Sequence, residues 1–261
     1  MKHIFKRVLC AALPLCLLPA AAPAQAQMAT GLAIPIQGLP VRNAPPLPAM
    51  GRAVLVDAAS ARLFMIEDGQ VVDSMKVIVG KPSSATPVLR STIFYTTLNP
   101  YWNVPADLAR TIIAPRVLKD GAAYLRDHGY EVVDSFGADA RILRADSVDW
   151  KAVADGSERV FVRQRPGPGN SMGRMKFGFE NNSGIYLHDT PKKELFEADY
   201  RGLSNGCVRL EDAPRFARWL LGRDPAPASA DPEQHVPLSG GVPIVITYLD
   251  PSAQIELASL R

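Results

Sequence analysis

From Arg52 onward the chain alternates short apolar runs with turn formers. The runs AVLVD, ARLFMIE and QVVDSMKVIVG predict three strands, and Asp68-Gly69 supplies a hairpin turn between the last two. KPSSATPV follows as a Pro- and Ser-rich loop, and the β-branched and aromatic residues from Ser91 to Leu98 predict a fourth strand of an antiparallel meander. Residues 99–155 break that rhythm. Helical spacing appears over Ala106 to Val117, interrupted at Pro115, and again over Asp120 to His128, before a strand-like YEVVD. This region reads as a helical insert in a β-protein, either a lid over a site or an element packed on a sheet edge.

Further on, RVFVRQ, MKFGF, GIYLHD and VPIVITYLD predict strands, and a short helix is expected at KKELFEAD. From Glu211 to Gly222, Ala213, Phe216, Ala217, Leu220 and Leu221 recur at helical spacing, and Glu211 and Asp212 suit the first turn. No internal repeat is evident. The expected fold is mainly β with helices, a single domain over residues 51–250 carrying the insert at about 99–155, with 251–261 as a C-terminal tail.

The beginning of the chain has another character. Lys2, Lys6 and Arg7 precede the apolar VLCAALPLCLLPA and an Ala24-Gln25-Ala26 site, which together predict a secretory signal peptide over residues 1–26 and a periplasmic location. Pro14 and Pro19 interrupt the apolar run, which counts against a membrane anchor. Residues 27–50, with five prolines and Arg42 as the one charge, read as an extended linker or arm.

Removing the leader changes two properties. The formal charge falls from +3 to zero, because three basic residues and no acidic ones are lost. A neutral chain gives no basis for nucleic-acid or anionic-membrane binding. Cys10 and Cys16 are also lost, so Cys207 remains as the one thiol of a chain sent to an oxidising compartment. It is then buried and inert, paired between chains, or kept for its reactivity.

Its neighbours favour reactivity. Ser204-Asn205-Gly206 places Cys207 on a tight turn where backbone N–H groups can face a ligand. A thiol with a pKa of about 8.5 needs a base to act as a nucleophile near neutral pH. His3 lies in the leader, His128 ends a charged helix, and His235 sits in a Pro-rich polar loop. His188 ends the strand IYLHD, where a sheet can aim it, although a histidine there can equally be a structural group. Cys207, His188 and Asp189 lack the paired spacing of a zinc site, so no metal or other cofactor is expected.

These residues resemble the L,D-transpeptidases of the YkuD fold, which remodel bacterial peptidoglycan. The family pattern is a histidine, a gap of about 14 to 17 residues, then Ser/Thr-His-Gly-Cys, a hydrophobic residue and Asn. Here fifteen residues separate His188 from Ser204-Asn205-Gly206-Cys207-Val208-Arg209. Asn205 and Arg209 depart from that pattern, and the YcbB-type subgroup, with Gly-Cys-Val-Arg, is the more similar one. The stretches LNPYWNVPADLAR, YLRDHGYEVVD, QRPGPGNSMGRMKF and IYLHDTPKKELF extend the resemblance over roughly residues 53–248, with 99–155 as a substrate-capping insert. No separate peptidoglycan-binding domain is evident, so a minimal version is expected.

The resemblance implies a β-sandwich-like catalytic fold and a set of roles. Cys207 would attack a stem-peptide carbonyl to give a thioester, His188 would act as base, and the Asp189 backbone carbonyl would orient the imidazole. The N–H groups of Gly206 and Cys207, with the Tyr186 hydroxyl, would form an oxyanion hole. Ser204 and Asn205 would contact substrate, and Tyr101 and Trp102 would either line the cleft against the stem peptide or pack in the core of the insert. Arg209 would brace the loop or bind a substrate carboxylate; on local strand alternation its side chain is expected to face away from Cys207, which favours bracing. The implied partners are peptidoglycan stem peptides and acylating β-lactams of the carbapenem class, acting on a monomer. The acceptor stays open among a second stem peptide in 3-3 or 1-3 linkage, a lipoprotein lysine, a free D-amino acid, or water, the last giving a carboxypeptidase or endopeptidase. Papain-like and NlpC-type peptidases place Cys before His, the reverse of the order here. A catalytically silent peptidoglycan-binding module is the non-enzymatic alternative.

Overall fold

The computed structural model describes residues 48–137, 139–225 and 231–259. The expected signal peptide and most of the linker, with His3, Cys10 and Cys16, lie outside the described residues.

The meander forms as its alternation predicts. β1 (Arg52–Asp57), β2 (Arg62–Glu67), β3 (Gln70–Gly80) and β4 (Leu89–Leu98) are followed, after the insert, by five further strands of the same sheet. These are β9 (Met175–Phe179), β10 (Leu187–His188), β11 (Gly202–Ser204), β12 (Val208–Leu210) and β13 (Gln234–Thr247). The sheet runs β11-β3-β12-β10-β9-β4-β13-β1-β2, and β3 also pairs with β2. The first half of β3 pairs with β2 and its second half with β12, so the strand order returns on itself around a buried core. Val54, Leu63, Met75, Phe177, Leu187 and Val208 fill that core with at most 1% of their surface exposed.

A helix over Ala213–Leu221, labelled α5 below, supplies Phe216, Ala217 and Leu220 to the same core. Asp212 caps its N-terminus by accepting from the Arg215 N–H at 3.0 Å, Pro214 sits where no donor is needed, and Gly222 ends it at φ +67°. The Phe216 ring meets Phe177 edge to face at 4.8 Å. Two regions differ from the sequence reading. The 251–261 stretch, expected as a tail, holds a helix over Pro251–Ala258 that buries Ala253 and Leu257 against Leu55, Phe64 and Val245. His235, expected in a loop, lies in β13, whose Gln234–Pro237 segment pairs with β4 before a register shift.

The insert is more than helices. It carries a four-stranded sheet in the order β5-β8-β6-β7, made of β5 (Trp102–Asn103), β6 (Tyr130–Val133), β7 (Ile142–Leu143) and β8 (Phe161–Gln164). It therefore runs past residue 155 to include β8. Its helices are α1 (Ala106–Leu108), α2 (Ala114–Asp120), α3 (Ala123–Asp127) and α4 (Trp150–Asp155), in chain order before α5. Pro115 cannot donate to the residue four before it, and the wider π-type turn at Ala109–Ile113 leads into α2 with the proline in its first turn. Val104, Ile113, Leu125, Trp150, Val153 and Val162 give this cap a core of its own.

Candidate active site

The candidate residues sit where three short strands lie side by side. β10 runs parallel to β12, with Leu187 opposite Val208 and His188 opposite Arg209, and antiparallel to β9, with His188 opposite Lys176. Leu187 and Val208 point into the core, so His188 and Arg209 share the other face. Cys207 precedes Arg209 by two residues and lies on that face as well. Arg209 therefore lines the cleft with Cys207 and His188, which corrects the expectation that it turns away: residues two apart on a strand share a face.

His188 is 4% exposed and its ring is oriented by the chain next to it. Nδ1 lies 2.5 Å from the Asp189 carbonyl oxygen; a carbonyl only accepts, so Nδ1 carries the proton and Nε2 is the free base. Asp189 is itself anchored three ways. Its N–H donates to Met175 O at 2.8 Å, and its carboxylate accepts from the Arg174 N–H at 2.9 Å and from Lys193 Nζ at 2.7 Å. Gly173, at φ +62°, makes room for it: a Cβ there would lie 2.4 Å from Asp189 Oδ2.

The turn that carries Cys207 is held from within and behind. Ser204 Oγ accepts from the Gly206 N–H at 3.1 Å and donates to the Cys207 carbonyl at 2.6 Å. Gly206 is therefore not the free oxyanion donor the resemblance implied, because its N–H is already used inside the turn. Behind it, Thr86 Oγ1 donates to the Gly206 carbonyl at 2.8 Å and accepts from the Gly80 N–H at 2.9 Å. Gly206 adopts φ +117°, a conformation that favours glycine. The Cys207 thiol is 4.0 Å from Gly184 O, and no hydrogen bond joins it to His188 among the described residues.

Burial drives both groups toward neutrality. The imidazole is pushed down to about 4, first by desolvation and then by the Arg209 charge, against the pull of the Asp189 and Met172 carbonyls. Burial pushes the Cys207 thiol up, while the Tyr186 backbone N–H and Arg209 draw it down. The site thus rests as a neutral thiol beside a neutral imidazole.

The cleft holds about 250 Å³, and Trp102, Pro105, Asp107 and Leu108 of the cap face His188, Cys207 and Arg209 across it. Ser204 and Asn205 also line it. Two expected residues do not. The Tyr101 ring packs under the Arg163 guanidinium at 4.2 Å, and its N–H donates to Glu233 Oε1 at 2.7 Å, at the base of the cap. The Tyr186 ring lines a neighbouring hollow with Phe94, Tyr95 and Phe179, yet burial and then the Tyr95 and Cys207 charges push its phenol up, so its hydroxyl stays within electrostatic range of the thiol.

Sequence reasoning passed over Thr86 and Asn170. Buried Asn170 donates to Pro100 O and Arg165 O and accepts from the Met172 N–H at 2.7 Å, tying the cap's base to a cleft-lining loop. Its setting, Gly169-Asn170-Ser171, signals only a turn. Among the described residues, no three His, Cys, Asp or Glu side chains gather as a metal site.

A Haemophilus influenzae protein described as "Putative L,D-transpeptidase" is 34% identical over 175 residues, covering 67% of this chain and 35% of that protein. The chain thus spans about a third of that relative's length. Among solved structures, an L,D-transpeptidase from Mycobacterium smegmatis aligns with 15% identity and a TM-score of 0.38, over 75% of this chain and 58% of that one. The catalytic domain of the E. faecium L,D-transpeptidase acylated by ertapenem aligns with 12% identity and a TM-score of 0.37, over 76% and 98%. The L,D-transpeptidase catalytic domain matches residues 51–245, well over half of the sequence, and the chain belongs to that family.

Proposed function

We propose that this chain is an exported peptidoglycan L,D-transpeptidase working through a Cys207 thioester. The observation that carries the reading is the cleft itself. A thiol and an imidazole with its Nδ1 held by Asp189 O face one another's side of a capped pocket, with the expected leader preceding them in sequence.

The steps follow from the protonation states. His188 Nε2 takes the thiol proton as Cys207 Sγ attacks the carbonyl carbon of the donor stem's L,D-amide. The Cys207 N–H, which makes no bond among the described residues, faces the developing oxyanion. As the C–N bond breaks, the imidazolium returns its proton to the departing amine of the D-amino acid, leaving the thioester. An acceptor amine then loses a proton to His188, attacks the thioester carbonyl and releases the thiol. A neutral imidazole suits both halves, since each begins with a proton taken from a neutral or weakly acidic group.

A β-lactam carbonyl offers the same electrophile in a strained ring, so carbapenems are proposed to acylate Cys207. Incubation of the protein with disaccharide-tetrapeptides, followed by mass spectrometry, tests the assignment. Dimers lacking one terminal D-amino acid are expected, with none from Cys207→Ala. Tripeptides without dimers would redirect the assignment to an L,D-carboxypeptidase. No product, together with no carbapenem mass adduct on the wild-type protein, would remove the enzymatic reading and favour a binding module.

A further inference from the structure

A guanidinium taken out of water without a carboxylate partner is costly, so one left that way beside a nucleophile calls for a ligand. Arg209 is half-buried, and its Nε is shut off from solvent with no hydrogen-bond partner. It enters no ion pair among the described residues, in contrast to Arg163 and Arg215, which pair with Glu131 and Asp73. Asp107, the acidic side chain lining the same cleft, is exposed on the cap and makes no ion pair with it.

Strand geometry fixes the reach of this cation. Cys207 and Arg209 share a face, with their Cα atoms about 6.5–7 Å apart along the strand. In a peptide, a carboxylate carbon one residue beyond an attacked carbonyl lies roughly 3–4 Å from that carbonyl carbon. A carboxylate at that place falls between the sulfur and the guanidinium, whose planar fork matches it with two hydrogen bonds.

We propose that Arg209 is the residue that binds the free α-carboxylate of the amino acid leaving the acyl donor. This rests on the thioester reading above. A donor whose chain continues, or ends in a carboxamide, presents a neutral group to Arg209 and leaves the cation unpaired. Substrate choice is then made on the leaving side, by the residue at which the motif departs from the family's asparagine.

The test compares two synthetic donors on the full chain, a tetrapeptide ending in D-alanine and the same peptide ending in D-alaninamide, with release of the terminal residue measured by mass spectrometry. The wild type is expected to favour the acid by about 10- to 100-fold in kcat/KM, the worth of a charge-assisted contact. Arg209→Gln is expected to bring that ratio to within a few-fold of one, and Arg209→Lys to restore part of it. Equal wild-type turnover of both donors overturns the assignment of Arg209 while leaving the thioester reading intact, and needs no variant to fold. An Arg209→Gln enzyme that slows on both donors yet keeps the wild-type ratio also overturns it, because a bracing residue would do that. Turnover of neither donor by the wild type removes the thioester reading, and this proposal with it.

Discussion

On the main-sheet side of the cleft, His188 and Arg209 come together because two parallel strands pair in one register, and Cys207 follows from a turn bonded at Ser204 and Thr86. On the cap side, Trp102, Pro105, Asp107 and Leu108 stand on a small sheet and short helices with a separate core. That side meets the main sheet at its base through polar contacts that include Asn170, Gln164 and Glu233. The first wall fixes reacting groups by buried backbone, where displacement would break the ladder. The second presents side chains from a unit whose core does not depend on the first. In the proposed function chemistry is thereby separated from the shaping of the substrate, and the two walls should respond differently to perturbation.

The largest effect is expected from protonating the main-sheet wall. His188 has a folded pKa of about 4 against 6.5 unfolded, so between those values the unfolded chain binds more protons and stability rises with pH. Acidification from about 6.5 toward 4 should therefore cost at most about 3 kcal/mol from this group. Urea unfolding of the wild type and His188→Gln across that range checks it. The wild type should lose stability more steeply, and parallel curves would show that the imidazole is not held neutral by burial.

A smaller effect should follow from the support behind Cys207. Thr86→Val removes the hydroxyl that joins Gly206 O to the Gly80 N–H while keeping the shape. The Gly206–Cys207 peptide then loses its fixed direction, and with it the aim of the Cys207 N–H. A fall of about tenfold in kcat is expected, with KM nearly unchanged and Thr86→Ser close to wild type. An unchanged kcat would show that the turn is rigid without Thr86, and that strand register alone fixes this wall.

The same contrast explains what the amino-acid order reveals. Strong alternation and β-branched runs made β1 to β4 legible, and Asp212, Pro214 and Gly222 marked both ends of α5. That Cys207 and His188 would meet in one cleft was legible from residue type and spacing. The cap's sheet was not, because β5 and β7 are two residues long and carry no period. The 251–258 helix has buried Ala253 and Leu257 four apart, too short a pattern to rise above a polar tail. Thr86 and Asn170 were hidden for another reason. Thr86 bonds Gly206 from 120 residues away and Asn170 bonds Pro100 from 70, and no local pattern announces such a contact. The occupied Gly206 N–H depends on one Ser204 rotamer, which spacing cannot specify.

Trp102 offers the sharpest small test of the cap wall. Its backbone pairs with Gln164 in the cap sheet, and its ring lies partly buried at 6.2 Å from Tyr130 while also facing the cleft. Trp102→Ala leaves the ladder and the buried Val104 and Val162 in place, so the cap should stay folded while its contact with the stem peptide shrinks. If that contact is the same in the bound substrate and the transition state, KM for a tetrapeptide donor rises about three- to tenfold and kcat stays within a factor of two. Steady-state kinetics, with a thermal melt to confirm the fold, separate the outcomes. A fall in kcat with KM unchanged would mean that the cap ring acts on the reacting centre itself, and the division of labour between the two walls would not hold.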